Sequence, residues 1–223
     1  MNRHKKSVSS LHSAASVLSS FALLIFAKYP EPGKVKTRLA ANLGAERAAQ
    51  LYEKFVRAIL ETGKSCGAHQ VFVTMSPAEK LAGFREKFPG DYALFAQIDS
   101  TDLGERIVAA ARHVIAQGYK KLLIIGTDSP NLPLAYFEEA NRVLDSHDIV
   151  IGPAEDGGYY LIGMKEIHQR LFEGIVWSSS KVLSQSLERA HHLNLCVHLL
   201  PTWYDVDDLP SYQRLKRDNS EFS

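Results

Sequence analysis

Short apolar runs alternate with longer amphipathic ones along most of this chain. Residues 21–27, 71–75, 122–125 and 148–151 are short and mostly apolar, the pattern of strands buried on both faces. Residues 159–163, 195–200 and, less clearly, 92–96 extend the series. Between these runs the apolar spacing changes to three and four. Over 45–64 it puts Ala48, Leu51, Tyr52, Phe55, Ile59 and Leu60 on one stripe. Over 103–117 it does the same with Ile107, Ala110, Ala111 and Val114, and Gly118 closes the helix. Helices are also expected over 134–144 behind Pro133, over 180–191 behind serines that can cap, and over 209–217. This alternation predicts an α/β fold with a mostly parallel sheet and helices on both faces. Ligands of such sheets lie in the crevice at the carboxyl ends of the strands. The segments that directly follow strands are therefore the ones to read for chemistry.

Composition narrows the picture without changing it. With 45% hydrophobic and 23% charged residues, the 223-residue chain is ordinary globular material. A formal net charge of +1 gives no broad basic field, so nucleic acid is not an expected partner. The two cysteines, Cys66 and Cys196, form neither a disulfide framework nor a zinc motif, which fits a reducing, cytoplasmic setting. The histidines are scattered and no HExxH pattern accompanies them. Residues 1–20 have a basic start followed by Ser and Ala, and superficially suggest a signal peptide. The apolar stretch after them is short and meets Lys28 and two prolines, with no small-residue cleavage site. The expected organisation is a disordered tail over 1–20 and one domain over 21–218. No run approaches the roughly 18 apolar residues of a membrane-spanning helix.

Four segments after strands carry candidate chemistry. The first, FAKYPEPGKVKTRL, places Lys28, Lys34, Lys36 and Arg38 on a loop that Pro30, Pro32 and Gly33 hold out of a helix, with Thr37 among them. Four cations on a stiff loop at a strand end suit a di- or triphosphate. The GxxxxGK[ST] spacing of a P-loop is absent. The second, GTDSPNLP, follows an apolar strand at once. Asp128 there is placed to bind a hard divalent cation that bridges phosphate oxygens, or to make an Asx-turn or cap. The third, GPAEDGGYYLIG, sets Asp156 before Gly157 and Gly158. It reads either as a hairpin turn or as backbone approaching a ligand. The fourth, YDVDDLPSYQRL, offers Asp205 or Asp207 as the partner of Asp128 on one metal, with Asp208 as a helix cap. Two smaller segments border these: Asp102 to Arg106 reads either as a capped helix start with Arg106 facing the cleft or as plain structure, and Trp177-Ser178-Ser179 either as the lining of an acceptor pocket or as plain structure.

In this order, FAKYPEPGKVKTRL, DLGER, GTDSPNLP, GPAEDGGYYLIG with IVWSSS, and DVDD resemble the DUF2064 group of GT-A-type glycosyltransferases, also described as arsenosugar-biosynthesis or radical-SAM-associated glycosyltransferases. The resemblance covers roughly residues 21–215. It implies a GT-A-like, Rossmann-like mixed sheet within the nucleotide-diphospho-sugar transferase superfamily. It also implies a nucleotide-binding first loop over 28–38, a metal-binding Asp128, and a second metal ligand at Asp205 or Asp207. The glycine-rich LAGGxSxRMG-like opening common in the related nucleotidyltransferases is replaced here by FAKYPEPGKVKTR, with one glycine.

The expected activity is glycosyl transfer from a nucleotide-diphospho-sugar to a small-molecule acceptor, with Mg²⁺ or Mn²⁺ on Asp128. Lys28, Pro32, Gly33, Lys34, Lys36, Thr37, Arg38, Arg106, Gly157 and Gly158 are the expected ligand-binding residues, and Asp156 orients the acceptor or acts as its base. Two alternatives stand beside it: nucleotidyl transfer from an NTP with release of pyrophosphate, and a nucleotide-binding module without turnover.

Overall fold

A computed structural model describes residues 21–222; the tail expected over 1–20 lies outside them. In chain order the elements are β1 (Ala22–Lys28), α1 (Thr37–Leu43), α2 (Ala45–Ser65), β2 (Gln70–Ser76), α3 (Leu81–Lys87), β3 (Ala93–Ala96), α4 (Leu103–Ile115) and β4 (Leu122–Ile125). They continue with α5 (Leu134–Val143), β5 (Ile149–Pro153), β6 (Tyr159–Met164), α6 (Val182–His192), β7 (Val197–Leu199) and α7 (Leu209–Asp218). The seven strands form one sheet in the order β3-β2-β1-β4-β6-β5-β7. Only β6 runs against its neighbours, β4 and β5; every other pairing is parallel. The mostly parallel sheet expected from the sequence is therefore present, mixed by one strand.

β1 shows why its apolar run is continuous. Side chains alternate across a strand, so Leu23, Ile25 and Ala27 pack on one face with α2 residues Tyr52, Val56 and Ile59, Phe84 of α3 and Phe137 of α5. Ala22 and Leu24 pack on the other face with Ile107, Ala111 and Val114 of α4 and Ala190 of α6. Both faces are covered, so no polar position is left to interrupt the strand. A third cluster joins the outer stripe of α2 to the C-terminal segment through Leu39, Phe55, Tyr204, Val206, Leu215 and Phe222.

Two helices escape a reading by periodicity. α1 and α3 are seven residues each, too short to show a stripe. Lys36, the residue before α1, has a left-handed backbone (φ 47, ψ 46) that no glycine marks. The β5–β6 connection is a hairpin, as the Asp-Gly-Gly sequence allows, and the Asp156 carboxylate accepts from Gly158 N at 2.8 Å. Asp102 and Asp208 cap α4 and α7, accepting from Glu105 N and Ser211 N respectively.

Candidate functional site

Adjacent parallel strands β1 and β4 end together, so Lys28 and the turn Gly126-Thr127-Asp128 open onto one cleft of about 580 Å³. The first loop supplies Lys34, Lys36, Thr37 and Arg38 to its wall. Arg106 enters from the first turn of α4, and Asp207 from the segment before α7. Nine residues singled out in the sequence thus share one cavity: Lys28, Lys34, Lys36, Thr37, Arg38, Arg106, Asp128, Ser178 and Asp207. Asp205 lines a side pocket of about 50 Å³ that Asp128 also borders. Pro32 and Gly33 do not line the cleft; they form an exposed turn, with Gly33 at φ 78. Asp156, Gly157 and Gly158 also lie outside its lining, on the hairpin turn.

The centre of the site is a buried ammonium between two carboxylates. Lys36 Nζ is hydrogen-bonded to Asp128 Oδ1 and, at 2.8 Å, to Asp207 Oδ1. The Lys36 side chain is 3% exposed, whereas those of Asp128 and Asp207 are 48% and 41% exposed. The ring of Phe55 lies 5.4 Å from Nζ on the inner side. Burial alone would lower the lysine pKa; the charges of Asp128 and Asp207 outweigh it and raise it above the ordinary lysine value.

The two acidic segments are tied by backbone as well. Val206 N donates to Asp128 O at 2.8 Å. Tyr204 and Val206 are buried in the third cluster, so the extended chain turns Asp205 and Asp207 the other way, toward the site. There they separate: Asp207 meets Lys36, while Asp205 accepts from Ser129 Oγ at 2.6 Å. Burial first, and then the charge of Asp128, push the Asp205 carboxyl up to about 7, with Asp156 and Asp207 adding to the effect and Ser129 opposing it. Tyr52 supports the same corner from α2. Its hydroxyl accepts from Lys28 N and bonds Thr127 Oγ1, each at 2.9 Å. Burial, then the nearby Asp128 charge, raise its pKa to about 12, so it stays a neutral phenol.

On the opposite wall Arg106 is set by Gln97. The guanidinium Nη1 donates to Gln97 Oε1 at 3.1 Å. The Gln97 amide in turn donates to Ala27 O at 3.3 Å and Thr74 O at 3.2 Å, at the ends of β1 and β2. Because both of those partners are carbonyls, only this orientation of the amide satisfies the bonds. Among the described residues no carboxylate pairs with Arg106, and its buried Nε has no partner. Gln97, Tyr52, Phe55 and Ser129 were not singled out as site residues in the sequence. Gln97 had a usable signal, since it directly follows a strand. Tyr52 and Phe55 sit on the apolar stripe of α2, where nothing separates a core residue from a supporting one.

The donor set fits a hard divalent cation. Asp128 and Asp207 present carboxylate oxygens, which converge on the Lys36 ammonium, at the edge of a cationic cleft that suits phosphate. Among the described residues no group of three or more His, Cys, Asp or Glu side chains stands close enough to hold a metal unaided. The remaining ligands would come from phosphate oxygens and water. No helix among the described residues is long and apolar enough to cross a membrane.

Comparison with known proteins gives the family and the fold. The sequence pattern of DUF2064, described as an uncharacterized protein conserved in bacteria, matches residues 59–179. The chain is 35% identical to a protein from Desulfovibrio desulfuricans G20 that is provisionally described as a nucleotide-diphospho-sugar transferase. That match has a TM-score of 0.84 and covers 89% of this chain and 87% of the other. More distant folds include Rv0371c from Mycobacterium tuberculosis H37Rv, solved in complex with manganese, at 14% identity and a TM-score of 0.58, covering 90% and 100% of the two chains. They also include the inositol-1-phosphate CTP transferase from T. maritima, at 11% identity and a TM-score of 0.57, covering 86% and 91%. At such identities the likeness is one of fold alone. No relative is found among curated proteins.

Proposed function

This chain belongs to the DUF2064 family, and on that footing we propose that it is a metal-dependent transferase that moves a glycosyl group from a nucleotide-diphospho-sugar to a small-molecule acceptor. One observation carries the reading: the lysine-rich first loop and the aspartates of two distant segments meet on a single cleft, through Lys36, Asp128 and Asp207. The polarity of that cleft matches the donor. Lys28, Lys34 and Arg38 are exposed cations that attract and orient a diphosphate, and Arg106 adds a guanidinium with no acidic partner among the described residues. Asp128 and Asp207 would hold Mg²⁺ or Mn²⁺, which offsets charge on a diphosphate leaving group. Lys36, once on a phosphate oxygen, stabilises the same developing charge. Asp156 is assigned to the acceptor side. One of its oxygens is engaged by Gly158 N, and its charge reaches Asp205. The single domain over 21–218 and the cytoplasmic setting belong to the same proposal.

A panel of sugar nucleotides, nucleoside triphosphates and Mn²⁺, read by thermal shift and then by product analysis, tests the function. A preferred donor present at about 100 times its Kd stabilises by about 2.7 kcal/mol, or roughly 5–10 °C for a domain of this size. EDTA removes that gain, and a nucleoside diphosphate is released when an acceptor is supplied. Stabilisation by a triphosphate alone, with pyrophosphate as the product, would replace glycosyl with nucleotidyl transfer. Nucleotide binding without any turnover would reduce the protein to a binding module.

Gln97→Leu tests the far wall. Without its oxygen Arg106 loses its anchor, and diphosphate affinity measured by calorimetry falls about tenfold, or about 1.4 kcal/mol. The melting temperature falls too, because Ala27 O and Thr74 O lose a buried donor. Unchanged diphosphate affinity would remove Arg106 from the donor site.

A further inference from the structure

The point where the two cleft carboxylates converge holds a positive charge. Lys36 Nζ bonds both Asp128 and Asp207, lies beneath them, and is backed by the face of Phe55. The left-handed backbone at Lys36 separates its side chain from those of its neighbours. Lys34, Thr37 and Arg38 are exposed, whereas Lys36 is turned inward. A divalent cation held between Asp128 Oδ1 and Asp207 Oδ1 would need the place that this ammonium fills, and two cations cannot share it at contact distance. Binding of the metal alone therefore requires Lys36 to leave both of its acidic partners and remain buried without a replacement, which is strongly unfavourable. A diphosphate in the cleft changes this balance. Its oxygens accept the ammonium, and the carboxylates become free for the metal.

We propose that Lys36 is a built-in stand-in for the divalent cation, so that the metal enters this site only together with a di- or triphosphate that takes over the lysine ammonium. The proposal rests on the transferase reading above and adds an order of binding to it. By thermodynamic reciprocity, the factor by which diphosphate tightens metal binding equals the factor by which metal tightens diphosphate binding. Lys36 sets the size of that factor. The site is thereby protected from free metal, and a metal–diphosphate complex is its preferred ligand.

The test counts Mn²⁺ bound to the whole protein at fixed pH, from the loss of the free-ion electron paramagnetic resonance signal, alone and with UDP or GDP. For the wild type, Mn²⁺ alone binds at least tenfold more weakly than Mn²⁺ with the better of the two nucleotides. For Lys36→Met, Mn²⁺ alone binds at least tenfold more tightly than it does to the wild type, and the gain from nucleotide shrinks. The melting temperature of Lys36→Met also rises with Mn²⁺ alone, whereas that of the wild type does not. The wild-type measurement stands by itself if the variant folds poorly. Tight binding of Mn²⁺ alone by the wild type overturns the stand-in while leaving the transferase reading intact. Failure of a well-folded Lys36→Met to gain affinity for Mn²⁺ alone also overturns it. If neither protein binds Mn²⁺ even with both nucleotides tried, the metal–nucleotide reading itself falls.

Discussion

Asp128→Ala lowers turnover with the preferred sugar-nucleotide donor by about a thousandfold or more and abolishes stabilisation by Mn²⁺ with nucleotide. The magnitude follows from the several kcal/mol that a bound cation contributes to charge stabilisation in the transition state, since about 4 kcal/mol corresponds to three powers of ten in rate. Asp128 acts at two levels. It faces the cleft at a strand end, and it is one of the two counter-ions of buried Lys36. Its backbone carbonyl also ties the Asp205–Asp207 segment through Val206 N, a bond that the side-chain change leaves in place. The fold is therefore retained, with Lys36 held by Asp207 alone, and the loss appears in chemistry and metal dependence rather than in expression. Steady-state product release, together with melting curves in Mn²⁺ and in EDTA, checks this. Turnover within tenfold of wild type would take the metal away from Asp128.

Gly157→Ala lowers stability strongly through a single added methyl group. Gly157 has φ +89, and a Cβ added there would lie 2.8 Å from both Cα and the carbonyl carbon of Ser180, and closer still to its oxygen. A left-handed alanine costs about 1–2 kcal/mol, and overpacking against backbone adds about 1–3 kcal/mol. A loss of roughly 3–4 kcal/mol lowers the melting temperature by about 10 °C. The disturbance also reaches the site. Leu183 N donates to Gly157 O at 2.9 Å, and the same stretch of chain carries Ser178 into the cleft lining. Gly158→Ala is the control. Its added Cβ meets only the Asp156 carboxylate, the nearest oxygen at 3.1 Å, with no positive φ, so a change of 2 °C or less is expected. Equal melting temperatures for the two variants would show that the hairpin does not rest on Ser180.

Much of the molecule was legible before any coordinate. All seven strands of the described residues lie within a few residues of the runs that predict them; the central ones, buried on both faces, must be apolar throughout, and runs such as 122–125 announce themselves. The long amphipathic helices were equally plain. The rule that ligands gather at strand ends led directly to Lys28, Lys36, Arg38 and Asp128, which do share a cleft. The short helices were missed because seven residues do not complete two turns of a periodic pattern. The sequence reads Gly157 either as part of a hairpin turn or as backbone approaching a ligand; the hairpin is present, and its close contact with the backbone of Ser180 is visible only in three dimensions. Gln97 was passed over although it follows a strand, since its contacts are with carbonyls that no sequence pattern displays.

By itself, then, the sequence determined the layers, the strand-end position of the charged segments that line the cleft, and the charge types that meet there, because these follow from local periodicity and from which residues border each strand. The choice between Asp205 and Asp207 as the neighbour of Lys36 belonged to tertiary structure. It depends on Tyr204 and Val206 burying into a cluster built from α1, α2 and α7, which turns the intervening aspartates outward and sends one to Ser129 and the other to Lys36. The same is true of the buried ammonium itself. Its pairing spans 92 and 171 residues of chain, and only the closure of the sheet brings those partners within reach of one nitrogen.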